Sequence, residues 1–389
     1  MGGSCDYKYS KVKNKQKVQG TIDEPNKDGF AHFMLKEIYE QPQAFQKTLQ
    51  GRIQQGQVKF AELNFTQEQV KKWDKIYIIA CGTAYHSGLF SKSLLEEFSG
   101  VFAEVEIASE FRYCNPLIDE NTLAIFVSQS GETADTLGAL RKAKNSGATT
   151  LAITNVVGST ISQEADYNIY LEAGPEIAVA STKAYTTMLI IQYLLSIYLA
   201  QVKGTMPEQK KTKILTALQE LPEKAQQILE QKEFYLEIIQ EIKNVQSLFF
   251  IGRVFDYYTA MEGALKLKET SYIHAEAYGA GEIKHGTMAI VTEETPVVAV
   301  AVQKSVYEKT LHIVKEVADK GVFVLAVVEE GDTEMQKWAN KVIYIPQIEN
   351  IVSPVLTVIP LQLLAYYTAV ARGCDVDQPR NLTKAVTTE

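Results

Sequence analysis

Short apolar runs alternating with longer amphipathic stretches set the rhythm of this chain. Lys75–Gly82 (KIYIIACG), the segment near Glu104–Ile107, Leu123–Val127, Thr149–Thr154 and Asn168–Leu171 are brief and read as strands. Leu123–Val127, continuous, apolar and β-rich, suits a strand buried on both faces of a parallel sheet. Between them the apolar positions fall at helical spacing, as at Leu89, Leu94, Leu95 and Phe98, and again over Ala134–Ser146, where Gly147 supplies the stop. Strands alternating with helices in this way predict a doubly wound α/β domain.

The rhythm is used twice. Ser247–Gly252 (SLFFIG) reads as a strand ending in glycine, Tyr258–Thr270 as a helix, and strands follow at Val297–Val302, Val322–Val328 and Lys341–Ile345, with a helix over Tyr307–Lys320. KIYIIACGTAYHSG and SLFFIGRVFDYYTA share one pattern, as do TLAIFVSQSGETADTL and TPVVAVAVQKSVYEKTL. A repeat this long predicts two similar domains rather than a solenoid. Ahead of them lie a polar tail to Gly29 and a helical leader from His32, in which Pro42 marks a break or the first turn of a second helix. The expected division is a tail and leader over 1–65, a first domain over 66–206, a helical connector over 207–238, a second domain over 239–375 and a C-terminal tail over 376–389.

Composition narrows the partners. With 46% hydrophobic and 22% charged residues in 389, the chain reads as a globular protein. A net charge of −8 without a Lys/Arg block argues against nucleic acid. Cys5, Cys81, Cys114 and Cys374 form no CxxC pair, and the five histidines form no HxH or HxxxH pair. A disulfide framework and a metal centre are therefore not expected, and a reducing cytoplasm is. The apolar run Ile351–Ala371 contains Pro354, Pro360 and Gln362, and Thr186–Ala200 contains Gln192, so both read as core helices rather than membrane spans. No signal peptide is visible.

The candidate chemistry begins at Thr122–Leu137. A buried strand stops at Ser128-Gln129-Ser130-Gly131, and Glu132 and Thr133 are expected in the first turn of the next helix. Gly131 permits a sharp turn, backbone N–H groups at a helix start lack partners, and the hydroxyls of Ser128, Ser130 and Thr133 add donors. The lysine of GxxxxGK[ST] and the spacing of GxGxxG are both missing, so a monophosphate suits this turn better than a nucleotide; a plain Ser-capped turn is the competing reading. The second copy has Gln303-Lys304-Ser305 instead, which points to one such turn per chain.

CGTAYHSG, SQSGETADT, VASTKAYTT, ALKLKETSYIHAEAYGAGEIKHG and PRNLTKAVTTE resemble the sugar isomerase half of the glutamine:fructose-6-phosphate aminotransferase family, in that family's order, from about Phe30 to Glu389. The resemblance implies two flavodoxin-like sugar isomerase (SIS) domains, a homodimer and no cofactor. It further implies conversion of fructose 6-phosphate and ammonia to glucosamine 6-phosphate for amino-sugar synthesis. The family's glutaminase portion is absent from the chain, and Cys5 in Met-Gly-Gly-Ser-Cys does not match its N-terminal nucleophile.

The same resemblance assigns roles. Ser128, Gln129, Ser130 and Thr133 are implied phosphate ligands with Thr83 close by, while Val179 and Ser181 line the sugar and Thr383 adjoins the reacting lysine. Glu269 matches the base that moves a proton between C1 and C2, and Lys266, three residues earlier on one helical face, steadies the developing charge. His285 matches the ring-opening residue, which reaches the neighbouring subunit's site, and Lys384 matches the lysine that forms a Schiff base at C2. Read without the family, Ser181-Thr182 is a helix cap, Lys266 and Glu269 a surface ion pair, His285 a loop histidine and Lys384 a solvated amine. Thr383, Ala385 and Thr388 depart from the usual NLAKSVTVE, Ala84 from CGTS and Thr287 from KHGP. Competing readings are a sugar-phosphate-sensing SIS module and an SIS enzyme for another sugar phosphate; the presence of Glu269, His285 and Lys384, and of the NLxK tail, favours the aminotransferase family.

Overall fold

The computed structural model describes residues 26–388. The leader folds as two helices, α1 (Phe33–Tyr39) and α2 (Gln41–Leu49), with Pro42 in the first turn of the second, where its missing N–H costs nothing. A hairpin of β1 (Ile53–Gln54) and β2 (Gln57–Val58) and a capped helix α3 (Gln67–Lys72) complete it. Cys5 and the tail before residue 26 lie outside the described residues.

The first domain runs β3 (Lys75–Ala80), α4 (Gly82–Ser99), β4 (Phe102–Ile107), α5 (Ala108–Phe111), β5 (Thr122–Ser128), α6 (Ala134–Asn145), β6 (Thr149–Thr154), α7 (Thr160–Glu164), β7 (Tyr167–Tyr170) and α8 (Lys183–Lys203). Its strands pair in parallel in the order β4-β3-β5-β6-β7. Every residue of β5 is buried, as a strand covered on both faces requires.

Two helices, α9 (Glu208–Leu229) and α10 (Lys232–Ile242), lead to the second domain. This contains β8 (Ser247–Gly252), α11 (Phe255–Ser271), β9 (His274–Gly279), β10 (Val297–Val300), α12 (Tyr307–Ala318), β11 (Val324–Glu329), β12 (Lys341–Ile345) and α13 (Pro354–Ala371). Its order, β9-β8-β10-β11-β12, repeats the first sheet, all parallel. Both sheets thus have the strand order 2-1-3-4-5 of the flavodoxin type, which reverses beside the first strand and opens a crevice at the strands' C-terminal ends.

The apolar runs at α8 and α13 are core helices, buried over almost their whole lengths. Helix α4 packs on α8, α11 on α13, and α4 meets α11 where the domains join. Gly263 makes one of these contacts possible, since a Cβ there would come within 2.6 Å of Leu361 Cδ1. The expected start of α11 at Tyr258 is three residues late. The reason is Asp256, which looks like a surface charge in sequence but is buried, accepting hydrogen bonds from the backbone N–H groups of Val302 (2.9 Å) and Gln303 (2.8 Å).

Candidate active site

At the switch point of the first sheet, the chain leaving β3 passes through Cys81, Gly82 and Thr83, and the chain leaving β5 through Ser128–Thr133. A cleft of about 260 Å³ opens between them. Thr83, Ser128, Gln129, Ser130, Thr133, Val179, Ser181, Lys266, Glu269, Thr383 and Lys384 all border it. Eleven of the twelve residues picked out in the sequence are thereby gathered in one place.

The loop after β5 is tied together by its own side chains. Gly131 has φ +68°, and a Cβ there would run into Ser159 Oγ, so both conformation and space demand glycine. Its N–H donates to Ser128 Oγ (3.1 Å), Ser128 Oγ meets Thr133 Oγ1 (3.1 Å), and the Glu132 N–H donates to Ser130 Oγ (3.2 Å). Glu132 turns away from the cleft, its carboxylate accepting from the Thr160 N–H and hydroxyl, both at 2.7 Å. Helix α6 begins at Ala134, so Glu132 and Thr133 precede its first turn, with Thr133 at the N-cap position. Thr133 does not cap the helix, and its hydroxyl faces Ser128 instead.

The opposite wall comes from α11. Lys266 is fully buried, with its Nζ 2.6 Å from Glu269, 3.5 Å from Glu262 and 3.1 Å from Thr83 Oγ1. Burial by itself would lower the ammonium's pKa, but the charges of Glu269 and Glu262 outweigh it and hold it above the ordinary lysine value. The surface-ion-pair reading therefore fails. Glu262, also fully buried, accepts from Thr83 Oγ1 (3.1 Å) and meets His86 Nδ1 at 2.7 Å, joining the two domains through one polar cluster.

The C-terminal tail closes the cleft. Its Val386 carbonyl accepts the Ala134 N–H (3.0 Å), its Asp377 carboxylate accepts the N–H groups of Phe33 and Met34, and Arg380 stacks 4.1 Å over the Tyr272 ring. Lys384 is consequently no solvated amine. Its Nζ lies 2.6 Å from Oε2 of Glu176, whose side chain is fully buried and also accepts from Ser181 Oγ (3.0 Å) and the N–H groups of Thr182 and Ala184. Burial pushes the Glu176 carboxyl up, yet Lys384 and these donors bring it below its ordinary value. Ser181 thus braces Glu176 instead of capping α8, for which Thr182 is the N-cap residue without a side-chain cap bond.

His285 stands apart from these residues. It follows a 3₁₀ turn at Glu282–Lys284 in the second domain, is exposed, and does not border the cleft. Glu176, Glu262 and His86 were not picked out in the sequence, nor was Glu37 of α1, whose Oε1 accepts the Ala178 N–H (3.2 Å) in the loop that carries Glu176. Two signals were available: Glu262 lies one helical turn before Lys266, and Glu176 lies three residues before the VASTK motif.

The chain matches the SIS domain family twice, over residues 69–198 and 241–372, and belongs to that family. It is 52% identical over 373 residues to the glutamine–fructose-6-phosphate aminotransferase [isomerizing] of Caldanaerobacter subterraneus subsp. tengcongensis, covering 96% of this chain and 61% of that protein. It is 51% identical, with the same coverage, to the protein of that name from Clostridium acetobutylicum. The chain spans about three-fifths of the length of these relatives. Its fold is similar to the solved C-terminal domain of glucosamine-fructose-6-phosphate aminotransferase from Francisella tularensis, with a TM-score of 0.86 and 37% identity, covering 91% of this chain and all of that one.

Proposed function

We propose that the chain is the isomerase portion of a glutamine–fructose-6-phosphate aminotransferase, converting fructose 6-phosphate and ammonia to glucosamine 6-phosphate and water in the cytoplasm. The observation that carries this reading is the meeting, in one cleft, of the hydroxyl-lined loop 128–133, the buried Lys266–Glu269 pair and the tail lysine Lys384. The relatives' names supply the substrate class.

In this reading the phosphate sits among Ser128, Gln129, Ser130 and Thr133, with Thr83 at its edge, and Val179, Ser181 and Thr383 border the sugar. Lys384 attacks C2 of the open ketose, loss of water leaves an imine, and ammonia then adds to that imine carbon and expels the Lys384 amine, so that C2 carries an imine of ammonia. Glu269 takes the proton from C1 and returns it to C2, while Lys266 opposes the charge that develops in between. Ring opening falls to His285 of a second copy of the chain, which accounts for its exposed position away from its own cleft.

The test is incubation of the purified chain with fructose 6-phosphate, followed by borohydride reduction and peptide mass analysis. The sugar mass should appear on Lys384. Labelling elsewhere, or none by a protein that binds the sugar, overturns the reading.

A further inference from the structure

The two domains can be matched residue by residue along α4 and α11. Gly82 and Val254 precede or open these helices at φ +53° and +54°, and Gly100 and Tyr272 end them at φ +63° and +62°. Laying one helix on the other without a gap puts Glu97 of α4 at the position of Glu269, and Leu94 at that of Lys266. The match reaches the crevices too. In front of the second sheet's switch point lies another cavity, of about 400 Å³, walled by Val254, Phe255, Gln303 and Ser305 and, from α4, by Glu97.

We propose that this cavity is a second ligand site, which holds a phosphorylated monosaccharide without transforming it. The choice of sugar phosphate rests on the function proposed above. The loop that would copy Ser128–Thr133 is closed to an anion, because the Asp256 carboxylate already accepts from the N–H groups of Val302 and Gln303. These match Gln129 and Ser130 in strand register. The ligand's charge must therefore be met on the opposite wall. There α9 presents Lys210 and Lys213 to the cavity, Lys210 paired with Glu97 at 2.5 Å and Lys213 without a hydrogen bond or ion pair among the described residues. Ser305 and Glu349 likewise border the cavity with side chains that make no hydrogen bond or ion pair among those residues, leaving a hydroxyl and a carboxylate to meet sugar hydroxyls. The cavity is roomy enough for a hexose phosphate.

One feature separates binding from chemistry: Leu94 stands where the catalytic cleft has the buried Lys266 ammonium, so the second site has no counterpart of that buried cation. Val254, half exposed in the cavity wall, holds a β-branched residue at φ +54°, ψ −123°, a conformation suited to glycine. Such strain persists only where the surroundings over-determine it. A route to the catalytic cleft is also present, since α4 carries Glu97 near one end and Thr83 at the other.

Calorimetric titration of the chain with glucosamine 6-phosphate tests this, using wild type, Ser130→Ala/Thr133→Ala, Lys210→Ala/Lys213→Ala and the combined variant. Wild type should bind two equivalents per chain, each pair of substitutions should weaken a different one by on the order of tenfold or more, and the combined variant should bind neither. One equivalent in wild type that only Ser130→Ala/Thr133→Ala weakens overturns the second site and leaves the catalytic reading intact. One equivalent that only Lys210→Ala/Lys213→Ala weakens supports the second site and overturns the catalytic assignment. If inorganic phosphate competes as well as the amino-sugar phosphate at the second site, recognition of the sugar is overturned.

Discussion

Lys384 Nζ lies 2.6 Å from Glu176 Oε2, joining a residue of the C-terminal tail to a fully buried carboxylate at the foot of α8. This pair converts a terminal segment into part of the cleft. Removing one partner of a buried pair strands the other, and here Glu176 is the one that cannot reach water. Lys384→Met should therefore lower stability by ~3 kcal/mol, read by urea unfolding, as well as abolish borohydride labelling. A variant as stable as wild type would place the pair outside the fold's energetics.

Glu269→Gln should separate the two chemical steps. An amide cannot accept the C1 proton, so isomerisation should fall by on the order of 10²- to 10⁴-fold, while Lys384 should still be labelled after borohydride. Full turnover by this variant, measured as glucosamine 6-phosphate formed from fructose 6-phosphate and ammonia, would remove Glu269 from the role of base.

Gly131→Ala probes the loop itself. A Cβ at φ +68° is strained, and it would strike Ser159 Oγ, so the loop must shift and carry Ser128 and Ser130 with it. The expected result is sugar-phosphate binding weakened by on the order of tenfold or more and a loss of ~1–2 kcal/mol in stability. Unchanged affinity by calorimetry would dissociate the loop from the phosphate.

Two buried carboxyls predict a pH dependence of stability. Burial, then the charge of Glu176, pushes Glu37 up to about 8 from 4.5, and burial pushes Asp256 up to about 7 from 3.8. In each case the folded chain keeps a proton that the unfolded chain has lost, so stability falls as pH rises from the unfolded value to the folded one. Asp256→Asn carries no such proton. Its stability relative to wild type should rise by a few kcal/mol between about pH 4 and pH 7, and then level off. A difference independent of pH in thermal melts would show that Asp256 folds with its charge intact.

Much of this protein was legible in its sequence because the relevant physics is local or periodic. Brief apolar runs such as Leu123–Val127 admit little besides a buried parallel strand, and the recurrence of that rhythm after Ser247 predicts the second sheet. The turn Ser128–Gly131 announces itself because only glycine takes φ +68° without strain. Family resemblance added Lys384 and His285, whose surroundings nothing in the neighbouring sequence describes.

What the sequence left undecided was set by contacts between distant segments. Nothing near Asp256 reveals that its carboxylate turns inward to the N–H groups of Val302 and Gln303, 46 and 47 residues away. Nor does the tail reveal that Lys384 meets Glu176, 208 residues earlier, or that Lys266 of one domain reaches Thr83 of the other. A charged side chain in sequence carries the same identity whether it ends in water or in a core. Tertiary packing alone decides which, because the cost of burying a charge is met only where a partner from elsewhere in the chain arrives beside it.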